Sequence, residues 1–398
     1  MIAPQDDVRK SRMAAMAMRF VLLTGAVSLF SDFTHEGARS LLGPYLALLG
    51  ASAFIVGLVT GFGEFLGYAL RLVSGRWADA TGRFWPITIL GYVVQMAAVP
   101  ALALTHTWPQ AAALIVLERV GRAIRVPPRD VMLSHAAHHI GGYGWTFGIH
   151  QACDQTGALL GPLLLALVMG WRGDYHFAFA VLLVPATINI ALLLISRRLY
   201  PNPEAMEVHP PRTAPGDRFS PAFWVYMAGA SLVALGFADY PLIAYHFVHH
   251  KIAPVGWIAG FYAVAMAVSG GGSLVFGRLY DRFGFRMLVV LTIVAALFAP
   301  LAFFGDFWLA LIGAALWGLG MGVHESIIPA AVTPLVPPSK RASAFGLFTA
   351  VYGAFWFAGS AVIGFLYDRT LSGTVIFCVA TQMLAAPVFM WLAGRRSP

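Results

Sequence analysis

The sequence predicts an all-α membrane protein in which twelve transmembrane helices form two related, pseudo-symmetric six-helix bundles. Three observations predict it. Of 398 residues, 59% are hydrophobic and only 11% are charged, whereas a soluble domain carries about 25% charged residues. The apolar residues fall into runs close to the roughly 20 residues that a bilayer span requires. A Gly-Asp-Gly pattern in the first half returns 202 residues later in the second.

The apolar runs, and the Gly, Pro and charged residues that break them, place helices at 19–48, 53–79, 84–105, 108–136, 143–170, 175–196, 221–249, 254–281, 286–305, 307–335, 341–368 and 372–394. These are spans one to twelve. They divide the chain into a tail (1–18), a first bundle (19–196), a linker (197–220), a second bundle (221–394) and a short tail (395–398). The stretch from Arg9 to Arg19 is basic, but the apolar run after it contains Asp32, His35 and Glu36 and lacks a small-residue cleavage site. It reads as a retained first helix rather than a signal peptide. The linker is rich in Pro and charge, with Pro201, Pro203, Pro210, Pro211 and Pro215. Cys153 and Cys378 both lie inside apolar runs and read as packed thiols rather than a disulfide framework.

Charge orients the spans. Seventeen Lys and Arg residues lie at the ends of spans on one side, among them Arg12, Arg76, Arg83, Arg197, Arg282 and Arg396. Three (Arg172, Lys251 and Arg369) lie on the other, and six fall within spans. Cytoplasmic loops carry the excess of Lys and Arg, so both termini and the linker are expected in the cytoplasm of a bacterial inner membrane. The same bias accounts for the net charge of +8 without invoking nucleic acid. The expected surroundings are the lipid bilayer.

The repeat is legible in two places. Gly75-Arg76-Trp-Ala-Asp79-Ala-Thr-Gly82-Arg83 follows span two, and Gly277-Arg-Leu-Tyr-Asp281-Arg-Phe-Gly284 follows span eight. Phe147-Gly148 is followed by Gly161 in span five, as Phe345-Gly346 is followed by Gly359 in span eleven. Parallel halves of this kind are related by an axis along the membrane normal. The G-x-x-x-D-x-x-G-R segment resembles the signature of the major facilitator superfamily, and the resemblance covers nearly the whole chain. Gly157-Ala-Leu-Leu-Gly161-Pro162 looks like half of a motif common in that superfamily's antiporters. The resemblance implies a bacterial secondary transporter, monomeric, with spans one, four, seven and ten lining a central cavity. It also implies a cytoplasmic gate at Gly75, Arg76, Asp79, Gly82, Arg83, Asp130, Gly277, Asp281 and Gly284. In residue terms, Gly75 would let helices approach closely, and Arg76 and Arg83 would pair with Asp79 or with Asp130 on span four.

Ionisable residues at bilayer depth are costly and point to function. Asp32, His35, Glu36 and Arg39 fall in span one, and Glu64 and Arg71 in span two. Glu118, Arg119, Arg122, Arg125 and Arg129 fall in span four, His150 and Asp154 in span five, Asp239 in span seven, and His324 and Glu325 in span ten. Asp32, Glu36 and Arg39 share one helix face, as do Arg119 and Arg122, so an acidic face on span one is expected opposite a basic face on span four. The substrate and proton pathway is therefore expected at Asp32, Glu36, Arg39, Arg119, Arg122, His150, Asp154, Asp239, His324 and Glu325. Glu118 is expected to pair with Arg71 or Arg119, Glu64 with Arg71, and Arg125 and Arg129 to join Asp130 at the gate. His135, His138 and His139 read as one solvated turn, and His249 and His250 as another. Tyr68, Tyr240, Tyr245, Tyr262, Tyr352 and Trp356 fall in spans expected to face the cavity or its wall, where they could line it for an amphiphilic solute or serve as packing and interfacial belt.

The chain has no GxxxxGK[ST], HExxH or CxxC pattern, so no ATP site, resident metal or cofactor is expected, nor enzyme activity. What remains is proton-coupled exchange, exporting a small organic, cationic or amphiphilic solute. Two rivals keep the fold: an organic anion or siderophore bound by Arg39, Arg119, Arg122 and Arg125, and a divalent metal such as nickel at the His-acid sites. A non-transporting membrane sensor or enzyme is the rival of another class.

Overall fold

A computed structural model describes residues 3–137, 139–140, 143–203, 219–324, 328, 331–332, 335–336 and 341–394, with the side chains of 3–10, 79, 143–145, 273–274, 277–278, 281 and 341–343 outside the description. Every regular element among these residues is a helix. Among the described residues, ten helical segments are long and apolar enough to cross a membrane, and Phe307–Gly322 is a shorter apolar one. Trp108–Ala137 is 30 residues long but carries six charged residues, which is why apolarity alone passes over span four.

Most spans match the apolar runs, and two differ instructively. Span one, Ala3–Leu48, has 46 residues. At 1.5 Å per residue it is about 70 Å long, so it starts well outside the hydrocarbon. Span seven is not the continuous helix expected over 221–249. It consists of Pro221–Leu235 and Tyr240–His249, separated by Gly236 to Asp239. Gly236 weakens the helix there, and Pro241 sits at the start of the second segment, where its missing N–H costs nothing. The carbonyls freed by the break must be satisfied internally at membrane depth. The Gln382 amide donates to Gly236 O (3.2 Å) and the Trp317 indole to Ala238 O (2.7 Å). Span ten is α-helical over Phe307–Gly322, and much of the remainder of the expected 307–335 lies outside the described residues. The linker expectation falls largely on 204–218, outside the described residues; the flanking helices reach Leu199 and begin at Pro221.

The halves repeat in packing as well as in sequence. Span one packs on span five, and span seven on span eleven. A β-carbon placed on Gly161 would lie 2.1 Å from Phe33 O of span one, and one on Gly359 would lie 2.1 Å from Leu235 O of span seven. Phe33 and Leu235 are 202 residues apart, the offset of the Gly-Asp-Gly pattern. These glycines therefore set the distance between paired helices in each bundle. Gly161→Val is expected to destabilise the protein by about 1–3 kcal/mol through overpacking, measured as a lower unfolding midpoint in detergent, with Gly170→Val as a control because nothing lies near its β position.

The two bundles meet along span two against span eleven and span five against span eight. On the side away from the termini the contact is tight. The Asp368 carboxylate, just past span eleven, accepts from the Ala53 and Phe54 amides at the start of span two (3.1 and 3.0 Å), using the unsatisfied N–H groups of a helix N-terminus. A β-carbon on Gly43 of span one would lie 1.7 Å from Pro241 O of span seven.

Candidate functional site: a charged cavity between the halves

Below that closure lies a cavity of about 420 Å³. It runs from Glu36 and Glu64 at mid-membrane to Arg129 and Asp130 near the terminus-side end of span four. The first half contributes nearly all its charge: Asp32, Glu36, Arg39, Glu64, Arg71, Arg119, Arg122, Arg125, Arg129, Asp130 and Asp154. The second half contributes Met266, Met321, His324, Thr349 and Trp356.

Buried charges persist only when paired and hydrogen-bonded, and the network here is dense. Arg39 of span one reaches Glu64 (3.4 Å), Asp239 (3.5 Å) and Glu36 (3.8 Å). Arg119 holds Glu64 at 2.9 Å and Glu118 at 3.5 Å. His35 bridges the same cluster: its Nε2 lies 3.1 Å from Arg119 Nη1 and its Nδ1 lies 3.0 Å from Glu118 Oε1. A guanidinium can only donate, so Nε2 accepts and the ring proton sits on Nδ1, facing Glu118. The Gln95 amide of span three donates to Glu118 at 2.7 Å and accepts from Arg125 Nε at 2.6 Å. Arg125 also donates to Ser31 (2.9 Å) and Tyr92 (3.2 Å) and faces Asp32 at 3.7 Å. On span five His150 pairs with Asp154 at 3.3 Å.

Two of these bonds join the halves at mid-membrane. One is Arg39 to Asp239, which sits where span seven is broken. Asp239 Oδ1 accepts from the Trp356 indole and Oδ2 from Ser360, both at 3.1 Å. The other is the Tyr262 hydroxyl of span eight, which donates to Glu36. His324 of span ten bonds the Tyr352 hydroxyl and packs on Phe237, 4.2 Å between ring centroids.

Several sequence expectations need correction. Glu64 pairs with Arg39 and Arg119 rather than Arg71, because its carboxylate reaches across to spans one and four. Of the two partners proposed for Glu118, Arg119 makes the contact. Arg125 does not join Asp130 at the gate; it lies one turn deeper, locked to Gln95, Ser31 and Asp32. Asp130 is held at 2.7 Å by its neighbour Arg129, while Arg76 and Arg83 are exposed. Gly75 does not mark a tight approach: a β-carbon there would stand 3.5 Å from Pro127 Cβ, an ordinary contact. Gly82 and Gly284 matter differently, since both have positive φ (62° and 59°) at the turn after spans two and eight, a conformation that suits glycine. His135 is buried beside Phe84 rather than solvated; His249 and His250 are exposed. Of the six aromatic residues expected near the cavity, Tyr68 and Trp356 line it; the Tyr240 hydroxyl is bound to Ile258 O.

Glu325 and His138, with the side chains of Asp79 and Asp281, lie outside the described residues. The backbone of Gly277 falls within helix Val255–Phe283. Among the described residues no three of His, Cys, Asp and Glu converge as a metal site would require. The residues that sequence reasoning passed over are uncharged. Gln95, Ser31 and Tyr92 organise Arg125, and Ser360 and Trp317 organise the break at Asp239. Gln95 left one signal, as an amide deep inside an apolar run.

A two-bundle helical fold with a charged cavity between its halves is the architecture that the repeat implied. The family model described as Major Facilitator Superfamily matches residues 21–251 and 241–398. The chain belongs to the Major Facilitator Superfamily. It is therefore a multi-pass membrane protein of a transporter superfamily. An uncharacterized protein of Mycobacterium tuberculosis is 40% identical over 381 residues, 94% of this chain and 93% of that one. An MFS-type transporter of Methanocaldococcus jannaschii is 27% identical, covering 94% of each. An MFS-type efflux pump of Mycolicibacterium smegmatis is 28% identical over 61% of this chain and 60% of the pump. Among solved structures, a mutant form of the nucleoside transporter NupG aligns with a TM-score of 0.75 at 14% identity, over 94% of this chain and 100% of that one. A POT family transporter bound to 5-aminolevulinic acid aligns at 0.74 and 12% identity, over 94% and 95%. At these identities the structures speak to the superfamily's fold alone.

Proposed function

We propose that this chain is a proton-coupled antiporter of the bacterial inner membrane, exporting a small organic solute by alternating access as a monomer with both termini cytoplasmic. The observation that carries the reading is the pair of mid-membrane bonds between the halves, Arg39–Asp239 and Tyr262–Glu36. They lie at the boundary between the tight closure and the cavity. With the termini in the cytoplasm, this conformation is inward-open. To open outward, the halves must release those bonds together with Asp368 and span two. A carboxylate that takes up a proton loses its charge-assisted hold on a guanidinium. Protonation of Asp239 or Glu36 therefore weakens the contact that separates the two access states, and solute and proton alternate at one site. The efflux-type relative supports the outward direction.

Inside-out vesicles carrying an imposed pH gradient, read by a gradient-sensitive dye and challenged with a panel of organic solutes, test the reading. Wild-type protein should dissipate the gradient with at least one solute, and Glu36→Gln should lower that coupled rate about tenfold or more, a barrier change of about 1.4 kcal/mol. Solute movement that is indifferent both to the gradient and to Glu36→Gln would overturn proton coupling.

A further inference from the structure

We infer that the exported solute is an amphipathic organic anion, whose carboxylate or phosphate is held by Arg71 and Arg122 and whose apolar body lies against Met266, Met321 and Trp356. This rests on the transporter reading above and deepens it. The five carboxylates that line the cavity each have a base at contact distance: Asp32 has Arg125, Glu36 has Arg39, Glu64 has Arg119, Asp130 has Arg129 and Asp154 has His150. Their partners are thereby taken. Of the four arginines first considered for an anion, Arg39, Arg119 and Arg125 are engaged in this way, leaving Arg122. It lines the cavity and makes no contact-distance ion pair among the described residues, standing instead in the joint field of Asp32, Glu36, Glu118 and Glu64.

Arg71, on span two, likewise lines the cavity without a contact-distance ion pair among the described residues. Its guanidinium lies 5.2 Å from the Tyr68 ring centroid, and its buried Nε has no hydrogen-bond partner among the described residues. Arg71 and Arg122 line the same cavity, with Asp130 and Glu64 the acids nearest in effect to Arg71. Two like charges facing one cavity repel each other, and an anion between them offsets that repulsion. Guanidinium groups match the geometry of carboxylate and phosphate oxygens, and charge-assisted hydrogen bonds are about twice as strong as neutral ones.

The body of the solute follows from the other half. The second bundle lines the cavity with two methionines, a tryptophan, His324 and Thr349. Methionine and tryptophan offer adaptable apolar contact. A cavity of about 420 Å³ falls within the range of drug-sized pockets, roughly 300–1,000 Å³. A solute with a charged head in the first bundle and an apolar body against the second touches both, so its presence bears on how the halves move.

A charge series on one apolar body tests this: 1-naphthoate, neutral 1-naphthamide and cationic 1-naphthylmethylammonium, titrated calorimetrically into purified protein in detergent. Naphthoate should bind at least about tenfold more tightly than the cation, and Arg122→Gln and Arg71→Gln should each weaken it about tenfold or more, the loss of a hydrogen bond to a charged group. Arg122→Lys should recover part of the affinity. Neither arginine makes a contact-distance ion pair among the described residues, and glutamine can keep the stem of Arg71 against Tyr68, so the unfolding midpoints of the unliganded Gln variants should fall less than that of Arg125→Ala. Equal or tighter binding of the cation, naphthoate affinity unchanged in both Gln variants, or no binding of naphthoate overturns the inference. Naphthoate binding without gradient-driven flux retains the anion site and removes the transport reading. Gradient-driven flux of the cation does the reverse.

Discussion

Replacing Arg125 with alanine is expected to destabilise the protein by about 3–5 kcal/mol, the cost of breaking a buried ion pair from one side. Arg125 is 1% exposed and makes four polar contacts to spans one and three: Gln95, Ser31, Tyr92 and Asp32. Alanine leaves the Asp32 carboxylate without its contact base and Gln95 Oε1 without its donor. The damage spreads, because Gln95 also orients Glu118, which positions His35 and Arg119. Arg125→Lys should rescue little, since a point charge on a flexible stem cannot reproduce the planar fork that reaches two spans at once. The unfolding midpoint and its denaturant dependence in detergent check this; a loss below about 1 kcal/mol would mean that the network is far more solvated than its burial implies.

Asp239→Asn should leave the fold largely intact and change transport. Asparagine keeps the size: its Oδ1 can accept from the Trp356 indole and its Nδ2 can donate to the Ser360 hydroxyl, so the side chain at the break in span seven keeps two hydrogen bonds. Arg39 keeps Glu64 and Glu36. What disappears is the charge that draws span one to span seven across the boundary between the halves. The expected outcome is a shift of the inward/outward equilibrium by about 1–3 kcal/mol, roughly 5–150-fold, with gradient-driven flux falling accordingly. An Asp239→Asn variant with wild-type coupled flux would show that the Arg39–Asp239 contact is static.

The fold was largely legible because hydrocarbon demands long apolar helices and because the duplicated glycines recur at fixed offsets. Gly161 and Gly359, read from sequence as a repeat, proved to be where spans one and seven press on their partners. The charged residues of the cavity were legible for the same reason: at bilayer depth a charge stands out. Their pairing was not. Which arginine meets Glu64 depends on helix rotation and side-chain reach, and periodicity fixes neither to within one turn of helix. The break in span seven was visible only as Gly236 and Pro241 flanking an Asp, a pattern that an apolar-run reading smooths into one helix. The division of labour between the bundles, with charge in one and sulfur and aromatic rings in the other, appeared only once both faces of the cavity were seen together.

Whether the halves move as units about the mid-membrane bonds is tested most directly by double electron–electron resonance, in a background lacking Cys153 and Cys378. One spin-label pair sits at Arg76 and Arg282 on the terminus side, and a second at Leu104 and Trp308 on the far side, all four being exposed. Two distance populations that exchange reciprocally are expected, the first pair closing as the second opens, with the balance shifted by pH and by Asp239→Asn. A single distance at both pairs, unchanged by pH and by the substitution in protein that still transports, would contradict alternating access through this cavity.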